Sequence, residues 1–342
     1  MSGNRIPVVI LTGFLGSGKT TLLNHLLTRG DARVGVIVND FGSIGVDAMS
    51  VAGQVDSMVS FGNGCLCCAV DASGLDAMLG KLSAPSAGID VIVIEASGVA
   101  EPRDLLRLMI ASENEEIAYG GLVQVLDGAE FDRTRAAHPE LDQHLALADL
   151  VVLNKTDRIT GADRERLLGT IEELSPGKPV VPTSHGRIDP ALFFDAERER
   201  PDDGQLSFTD LLAEEHDHAD HLHTAYDTVS FTSEQPLNPR RLIKFLEGRP
   251  AGLYRMKGFV DFGASGEHDR FGLHTVGGFL RFDRGRWPSG RRRTELVLIG
   301  AGIDTDALLA ALAGCREDNP ENVDERGMLL VLRHVEEPEP VG

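Results

Sequence analysis

The hydrophobic pattern divides the chain in two. Up to about residue 200, short unbroken runs of branched apolar residues recur: Val8 to Leu11, Val34 to Val38, Val91 to Ile94 and Leu150 to Leu153. Leu122 to Leu126 makes a fifth run, and Val180 to Val181, ending at Pro182, a sixth. Runs without polar alternation suit strands buried on both faces, and the stretches between them carry helical spacing, which predicts a mainly parallel α/β sheet. The first helix is expected over about Lys19 to Thr28, with Leu22, Leu23, Leu26 and Leu27 on one side and a stop at Gly30.

Pro201-Asp202-Asp203-Gly204 breaks this pattern and leads into an acidic, histidine-dense stretch from Glu214 to His223, a linker signal covering residues 201–223. Beyond it, over residues 224–316, strand-like segments at Thr228 to Phe231, Leu253 to Phe262, Phe271 to Phe282 and Glu295 to Ile299 surround helical patterns at Pro239 to Glu247 and Asp304 to Leu312. This predicts a small α+β domain. Residues 317–342 read as a tail, with one apolar run at Met328 to Leu332 and an acidic, frayed end.

Composition narrows the class. A chain of 342 residues that is 42% hydrophobic and 25% charged holds two ordinary globular domains, which excludes disorder as its main state. Its formal net charge of -20 repels phosphate backbones and anionic lipid, so neither nucleic acid nor a membrane is expected as a partner. No apolar run approaches the roughly 18 residues of a membrane span. The N-terminal MSGNRIPVVIL enters a strand instead of forming a signal peptide, so a cytoplasmic location is expected. Of four cysteines, three fall within four residues, the usage of a metal or redox site and not of a disulfide framework.

Gly13-Phe14-Leu15-Gly16-Ser17-Gly18-Lys19-Thr20 fits the phosphate-loop pattern GxxxxGK[ST] and stands between a strand and a helix, the context that pattern needs. Backbone N–H groups from Gly13 through Thr21 would surround phosphate oxygens, with Lys19 on the β- and γ-phosphates and Thr20 on Mg²⁺. Asn154-Lys155-Thr156-Asp157 follows a strand directly. A carboxylate there accepts two hydrogen bonds from N1 and the exocyclic amine of guanine, a pair adenine cannot supply, so Asp157 is the expected base reader and GTP/GDP the expected nucleotide. Thr183-Ser184-His185-Gly186, after the next strand, is placed to brace the base. Glu95, closing Val91 to Ile94, is the expected carboxylate behind Mg²⁺. Val99 follows Gly98 where a Ras-like enzyme carries its water-orienting Gln, which predicts slow intrinsic hydrolysis, accelerated by metal, dimerisation or a partner.

Gly62-Asn63-Gly64-Cys65-Leu66-Cys67-Cys68 puts three thiols on one glycine-rich loop, a donor set for Zn²⁺, Co²⁺ or Fe²⁺ and not for Mg²⁺. The fourth cysteine, Cys315, is far away in a predicted C-terminal helix, so the set is open, as a transferable metal requires. Asp40 stands where it can approach both Mg²⁺ and this cluster. The competing reading is a redox pair or reactive loop. His216, His218, His221 and His223 make either a weak metal-capture arm or a solvated linker. Arg284, Arg286, Arg291, Arg292 and Arg293 around Trp287 read as a solvated hairpin, with a partner surface as the alternative.

Together these pieces resemble the CobW-type family of metal-handling P-loop GTPases, relatives of the urease and hydrogenase nickel-insertion GTPases. The matching stretches are GFLGSGKTT, VNDFGSIGVD, GNGCLCC, IEASG and NKTD, then Arg255-Met256-Lys257-Gly258 and RTELVLIG, covering about residues 5–316. The resemblance implies a GTP-dependent metallochaperone that holds metal on Cys65, Cys67 and Cys68 and passes it to a client apo-metalloprotein. The family's usual NEFGE is NDFGS here: Asp40 keeps a carboxylate and Ser43 loses one. A regulatory GTPase with a permanent structural metal or redox-sensing thiols is the rival class, and an ATP-dependent kinase is disfavoured by NKTD.

Overall fold

The computed structural model describes residues 5–29, 32–38, 57–60, 72–98, 101–193, 227–287, 292–319 and 323–335. They form two compact units, one around a seven-stranded sheet and one around a five-stranded sheet.

The first unit runs β1 (Ile6–Gly13), α1 (Lys19–Arg29), β2 (Val34–Val38), β3 (Ser57–Ser60), α2 (Ala72–Ser83), β4 (Val91–Glu95), α3 (Pro102–Ile110), β5 (Ile117–Asp127), α4 (Phe131–Ala137), α5 (Leu141–Leu147), β6 (Leu150–Asn154), α6 (Gly161–Leu174) and β7 (Val180–Pro182). The sheet order is β3-β2-β4-β1-β5-β6-β7, and every neighbouring pair is parallel. β2, β4 and β6 are buried at every residue, as parallel strands covered on both faces must be. Leu75, Leu79 and Leu82 of α2 and Leu105 and Met109 of α3 pack on Val8, Ile10, Ile92 and Ile94. Phe131, Leu141, Leu145, Leu167 and Ile171 from α4, α5 and α6 pack with Leu126, Val151 and Leu153.

All six runs read from the sequence are strands. β3 was not foreseen, because Ser-Met-Val-Ser is too short and too polar to stand out, and β5 begins earlier than the Leu122 to Leu126 run, through a Tyr-Gly-Gly stretch.

The second unit runs β8 (Asp227–Ser233), α7 (Pro239–Glu247), β9 (Leu253–Asp261), β10 (Arg270–Val276), β11 (Phe279–Gly285), β12 (Thr294–Gly300), α8 (Thr305–Ala313) and α9 (Glu325–Leu332). Its sheet is antiparallel throughout, in the order β11-β10-β9-β12-β8. Side chains alternate along β8, with Val229 and Phe231 buried between exposed Thr228, Ser230 and Thr232, the pattern of a sheet with one packed face. Leu242, Ile243 and Leu246 of α7, Leu308 and Leu312 of α8, and Met328 and Val331 of α9 complete this core.

Three expectations are corrected here. The segment Phe271 to Phe282 is a hairpin turning at Gly277, whose φ is +51°, and not one strand. The apolar run at Met328 belongs to a packed helix, and the chain after it is held to the sheet by Phe282 N–H donating to the His334 carbonyl at 2.8 Å. Cys315 follows α8 instead of lying in it. Among the described residues no helix is long and apolar enough to cross a membrane.

Candidate nucleotide site

The carboxyl ends of β1, β4, β5 and β6 are where the candidate residues gather, as expected for a ligand site on an open α/β sheet. Register places Leu11 beside Glu95, Gly13 beside Val125 and Asp127 beside Asn154. The loop from Gly13 to α1 is tightened by Ser17 N–H donating to the Phe14 carbonyl at 3.1 Å. Gly18 has φ +101°, and a Cβ there would overlap the Asn154 amide. At Gly16, φ +77°, nothing lies within 4 Å of the Cβ position, so the tip of the loop faces open space.

Lys19, 8% exposed, donates to the Gly13 carbonyl at 2.8 Å and reaches the Phe14 carbonyl at 3.3 Å. Its ammonium thus stands inside the loop it would share with phosphate oxygens. Thr20 Oγ1 donates to Glu95 Oε1 at 2.6 Å, and Glu95 is buried. Thr21 is exposed, one residue further along α1. The Ser17 hydroxyl is buried without a hydrogen-bond partner. A buried orphan hydroxyl on the loop that opens α1 fits a phosphate-bearing ligand, and the Thr20 and Glu95 pair is an all-oxygen donor set of the kind Mg²⁺ takes.

The NKTD turn is joined to this loop. Asn154 Nδ2 donates to the Ser17 carbonyl at 2.9 Å, while its Oδ1 accepts from Gly186 N–H at 3.0 Å. Lys155, left-handed at φ 60°, donates through Nζ to the Gly16 carbonyl at 2.7 Å. Thr156 Oγ1 donates to the Thr183 carbonyl at 2.9 Å, and Asp157 N–H donates to Ser184 Oγ at 3.1 Å. The Asp157 side chain is 40% exposed, with His185 Nε2 at 3.8 Å from Oδ2, so its carboxylate is accessible beside the loop. The 183–186 loop is therefore fastened to the NKTD turn.

One contributor was missed from the sequence. Asp127 Oδ2 lies 2.7 Å from Lys155 Nζ. The signal was present, since Asp127 closes the apolar run of β5 as Glu95 closes that of β4, but no motif marks it. Of the basic cluster, Arg284 pairs with Asp269 at 2.7 Å and with Glu267 at 2.6 Å, and Arg293 pairs with Glu295, so these cations are neutralised within the unit. Asp40, Ser43, Cys65, Cys67, Cys68, the 216–223 histidines and Arg291 lie outside the described residues. Among the described residues no group of three or more His, Cys, Asp or Glu is placed to hold a metal ion.

Known families match both units of the chain. The family model for the CobW/HypB/UreG nucleotide-binding domain matches residues 7–182, and that for the cobalamin synthesis protein cobW C-terminal domain matches residues 226–316. The chain is 30% identical over 350 residues to the protein named zinc chaperone CobW of Sinorhizobium sp, a match covering 90% of this chain and 96% of that one. It is 26% identical to the zinc chaperone YjiA of Escherichia coli (strain K12), over 92% of this chain and all 100% of that one. Among solved structures, Zn(II)-bound YjiA GTPase from E. coli matches with a TM-score of 0.45 at 23% identity, covering 92% of this chain and 100% of that chain. With one family model on the phosphate-loop unit and the other on the antiparallel unit, the chain belongs to the CobW/HypB/UreG family of P-loop GTPases, in the form that carries a CobW-type C-terminal domain.

Proposed function

We propose that this protein is a GTP-hydrolysing metallochaperone that binds Zn²⁺ on the Cys65, Cys67 and Cys68 loop and releases it to a client apo-metalloprotein, with the bound nucleotide controlling retention. The observation that carries the nucleotide half is the joining of NKTD to the phosphate loop through Asn154 and Lys155. It lets one rigid frame bind a guanine at Asp157 and phosphates at Gly13 through Thr21. The metal half is supported by the three-thiol donor set and by relatives named zinc chaperones. Co²⁺ and Fe²⁺ fit the same thiols less selectively.

In this reading Asp157 accepts from guanine N1 and its exocyclic amine, and the 183–186 loop flanks the base. Lys19 turns from the Gly13 carbonyl to the β- and γ-phosphates. Thr20, with Glu95 bonded to it, would hold Mg²⁺, which would supply charge neutralisation for the phosphates, and Asp40, outside the described residues, is the further carboxylate expected to serve it. Val99, outside the described residues, is apolar where a Ras-like enzyme carries its water-orienting Gln, so turnover is slow until metal, a second copy of the chain or the client completes the site. The protein acts in the cytoplasm, on a protein partner and not on nucleic acid or lipid.

The test is metal analysis of protein purified without added metal, then challenged by a chelator through repeated GTP turnover. Zinc lost in step with GTP hydrolysis supports a carrier, whereas zinc retained through many cycles identifies a permanent structural site and ends the chaperone reading. Replacing Cys65, Cys67 and Cys68 with Ser should abolish tight zinc binding and spare GTP affinity, and Asp157→Ala should do the reverse.

A further inference from the structure

Asp127 ends β5 with both carboxylate oxygens engaged. Oδ1 accepts from Ala129 N–H at 3.0 Å, closing a tight turn on its own chain. Oδ2 takes the Lys155 ammonium at 2.7 Å. The residue between, Gly128, donates its N–H to the Asn154 carbonyl at 2.9 Å, so the turn after β5 is bonded to the main chain next to Lys155. The two charged side chains retain 13% and 26% exposure, Asp127 the lower, which leaves their attraction less screened than that of a surface pair.

Lys155 spans both ends of the nucleotide site. Its backbone is left-handed, at φ 60° and ψ 34°, and starts the turn Thr156–Arg158 that carries Asp157. Its ammonium lies on the Gly16 carbonyl at the tip of the phosphate loop. A non-glycine residue holds a left-handed conformation only when its surroundings over-determine it. Here the backbone is fixed by Arg158 N–H donating to the Lys155 carbonyl at 3.0 Å and Thr156 N–H to the Thr183 carbonyl at 3.1 Å, and the ammonium by the Gly16 carbonyl and the Asp127 carboxylate. Without the carboxylate the ammonium keeps one neutral acceptor, while a second ammonium, that of Lys19, already occupies the carbonyls of Gly13 and Phe14 in the same loop.

We propose that Asp127 is a positioning residue of the guanine-nucleotide site: it fixes Lys155 across the phosphate loop and thereby sets how long GDP or GTP stays bound. This rests on the guanine-site reading above. Asp127 reads no base and touches no phosphate, so it acts on the dissociation rate, while base preference stays with Asp157. Both nucleotides are affected alike, because the brace bears on the loop common to them.

The test uses the full-length chain loaded with a fluorescent GDP analogue and chased with excess GDP. Asp127→Asn keeps an acceptor for Ala129 N–H but turns an amide donor toward the Lys155 ammonium. It should release the analogue about tenfold faster, a coupling typical of residues in one hydrogen-bonded charge network. Lys155→Met should accelerate release at least as much, and the double variant should be no faster than Lys155→Met alone. The thermal midpoint of nucleotide-free Asp127→Asn should fall by no more than about 4 °C, the cost of one partly buried ion pair. Release within twofold of the parent, additivity with Lys155→Met, or a large fall in midpoint would each overturn the proposal, the last two by showing that Asp127 only folds its own turn. Competition with ADP separates the underlying reading. A parent protein that prefers guanine while Asp127→Asn releases normally refutes only the role of Asp127, and a parent without guanine preference refutes both.

Discussion

Both units bury polar side chains, but those side chains serve different ends. In the antiparallel unit Asp261, Thr294 and Thr275 close the unit's own backbone. Asp261 accepts from Gly263 N–H at 2.8 Å, Thr294 Oγ1 accepts from Asp261 N–H at 3.1 Å, and Thr275 Oγ1 accepts from Met256 N–H at 3.1 Å. Asn238, Asp304 and Asp324 cap α7, α8 and α9. In the parallel unit Lys19, Asn154 and Lys155 converge on one loop, Thr20 and Glu95 pair beside it, and the Ser17 hydroxyl stays unsatisfied. Polar groups that complete turns and caps mark scaffold. Polar groups that converge and are left incomplete mark a site where a ligand supplies the missing partner.

The comparison breaks most sharply at Gly258. Its φ is +146°, and a Cβ there would overlap the Glu295 carbonyl on the neighbouring strand. Gly258→Ala should therefore separate β9 from β12 and cost the antiparallel unit about 3 kcal/mol or more, while GDP affinity stays within about threefold. Calorimetry with a parallel GDP titration checks this, and loss of GDP binding would show that the scaffold unit supports the site.

A matched pair of polar deletions comes next. Lys19→Ala removes a buried ammonium whose hydrogen bonds go to the phosphate loop, and should lower GTP affinity by about 100-fold, the loss of a strong charge-assisted contact, with little change in unfolding midpoint. Asn238→Ala removes the α7 cap, a 3.0 Å bond from Arg241 N–H. It should cost about 1 kcal/mol of stability and leave GTP affinity alone. Equal effects on affinity would erase the distinction between site and scaffold.

What the sequence made legible follows the same division. β2, β4 and β6 could be read because strands buried on both faces tolerate only apolar residues, and Gly13, Gly16, Gly18 and Lys19 because the phosphate loop dictates residue type at each position. Asp127 could not be read as a partner of Lys155, since the two meet only once β5 and β6 are paired. The hairpin at Gly277 was signalled by Gly277-Gly278 between two short strand-like runs, a turn cue that a single-strand reading of Phe271 to Phe282 passed over, and α9 was hidden in eight residues beside an acidic end. The thiol loop was legible as chemistry and lies outside the described residues, so its reading depends on donor type and spacing alone.

A smaller effect comes from Asp283 on the antiparallel sheet. Burial pushes its carboxyl up, but hydrogen bonds and charge from His274 and Arg281 outweigh that and bring it down to about 2 from the ordinary 3.8. A depressed carboxyl stabilises the fold above its unfolded pKa and loses that contribution as pH falls toward the folded one. The stability difference between the parent and Asp283→Asn should shrink as pH falls from about 4 to 2. A difference that stays flat through that window in urea titrations would mean that the ion pair adds nothing.

The smallest effect separates the thiols. Cys315 is 3% exposed in the core of the antiparallel unit, its Sγ donates to the Ala311 carbonyl at 3.4 Å, and burial pushes the thiol up to about 11, only partly offset by Arg241. At pH 8 it is neutral and shielded, and the thiolate is the form that reacts with disulfide reagents or binds metal. Native, zinc-free protein should therefore titrate no more than three thiols, and four after unfolding. Cys315→Ala should cost about 1 kcal/mol for the buried sulfur it removes and leave zinc stoichiometry unchanged. A fourth thiol reacting in the native state, or zinc lost with Cys315, would give the antiparallel unit a chemical role and undo its standing as scaffold.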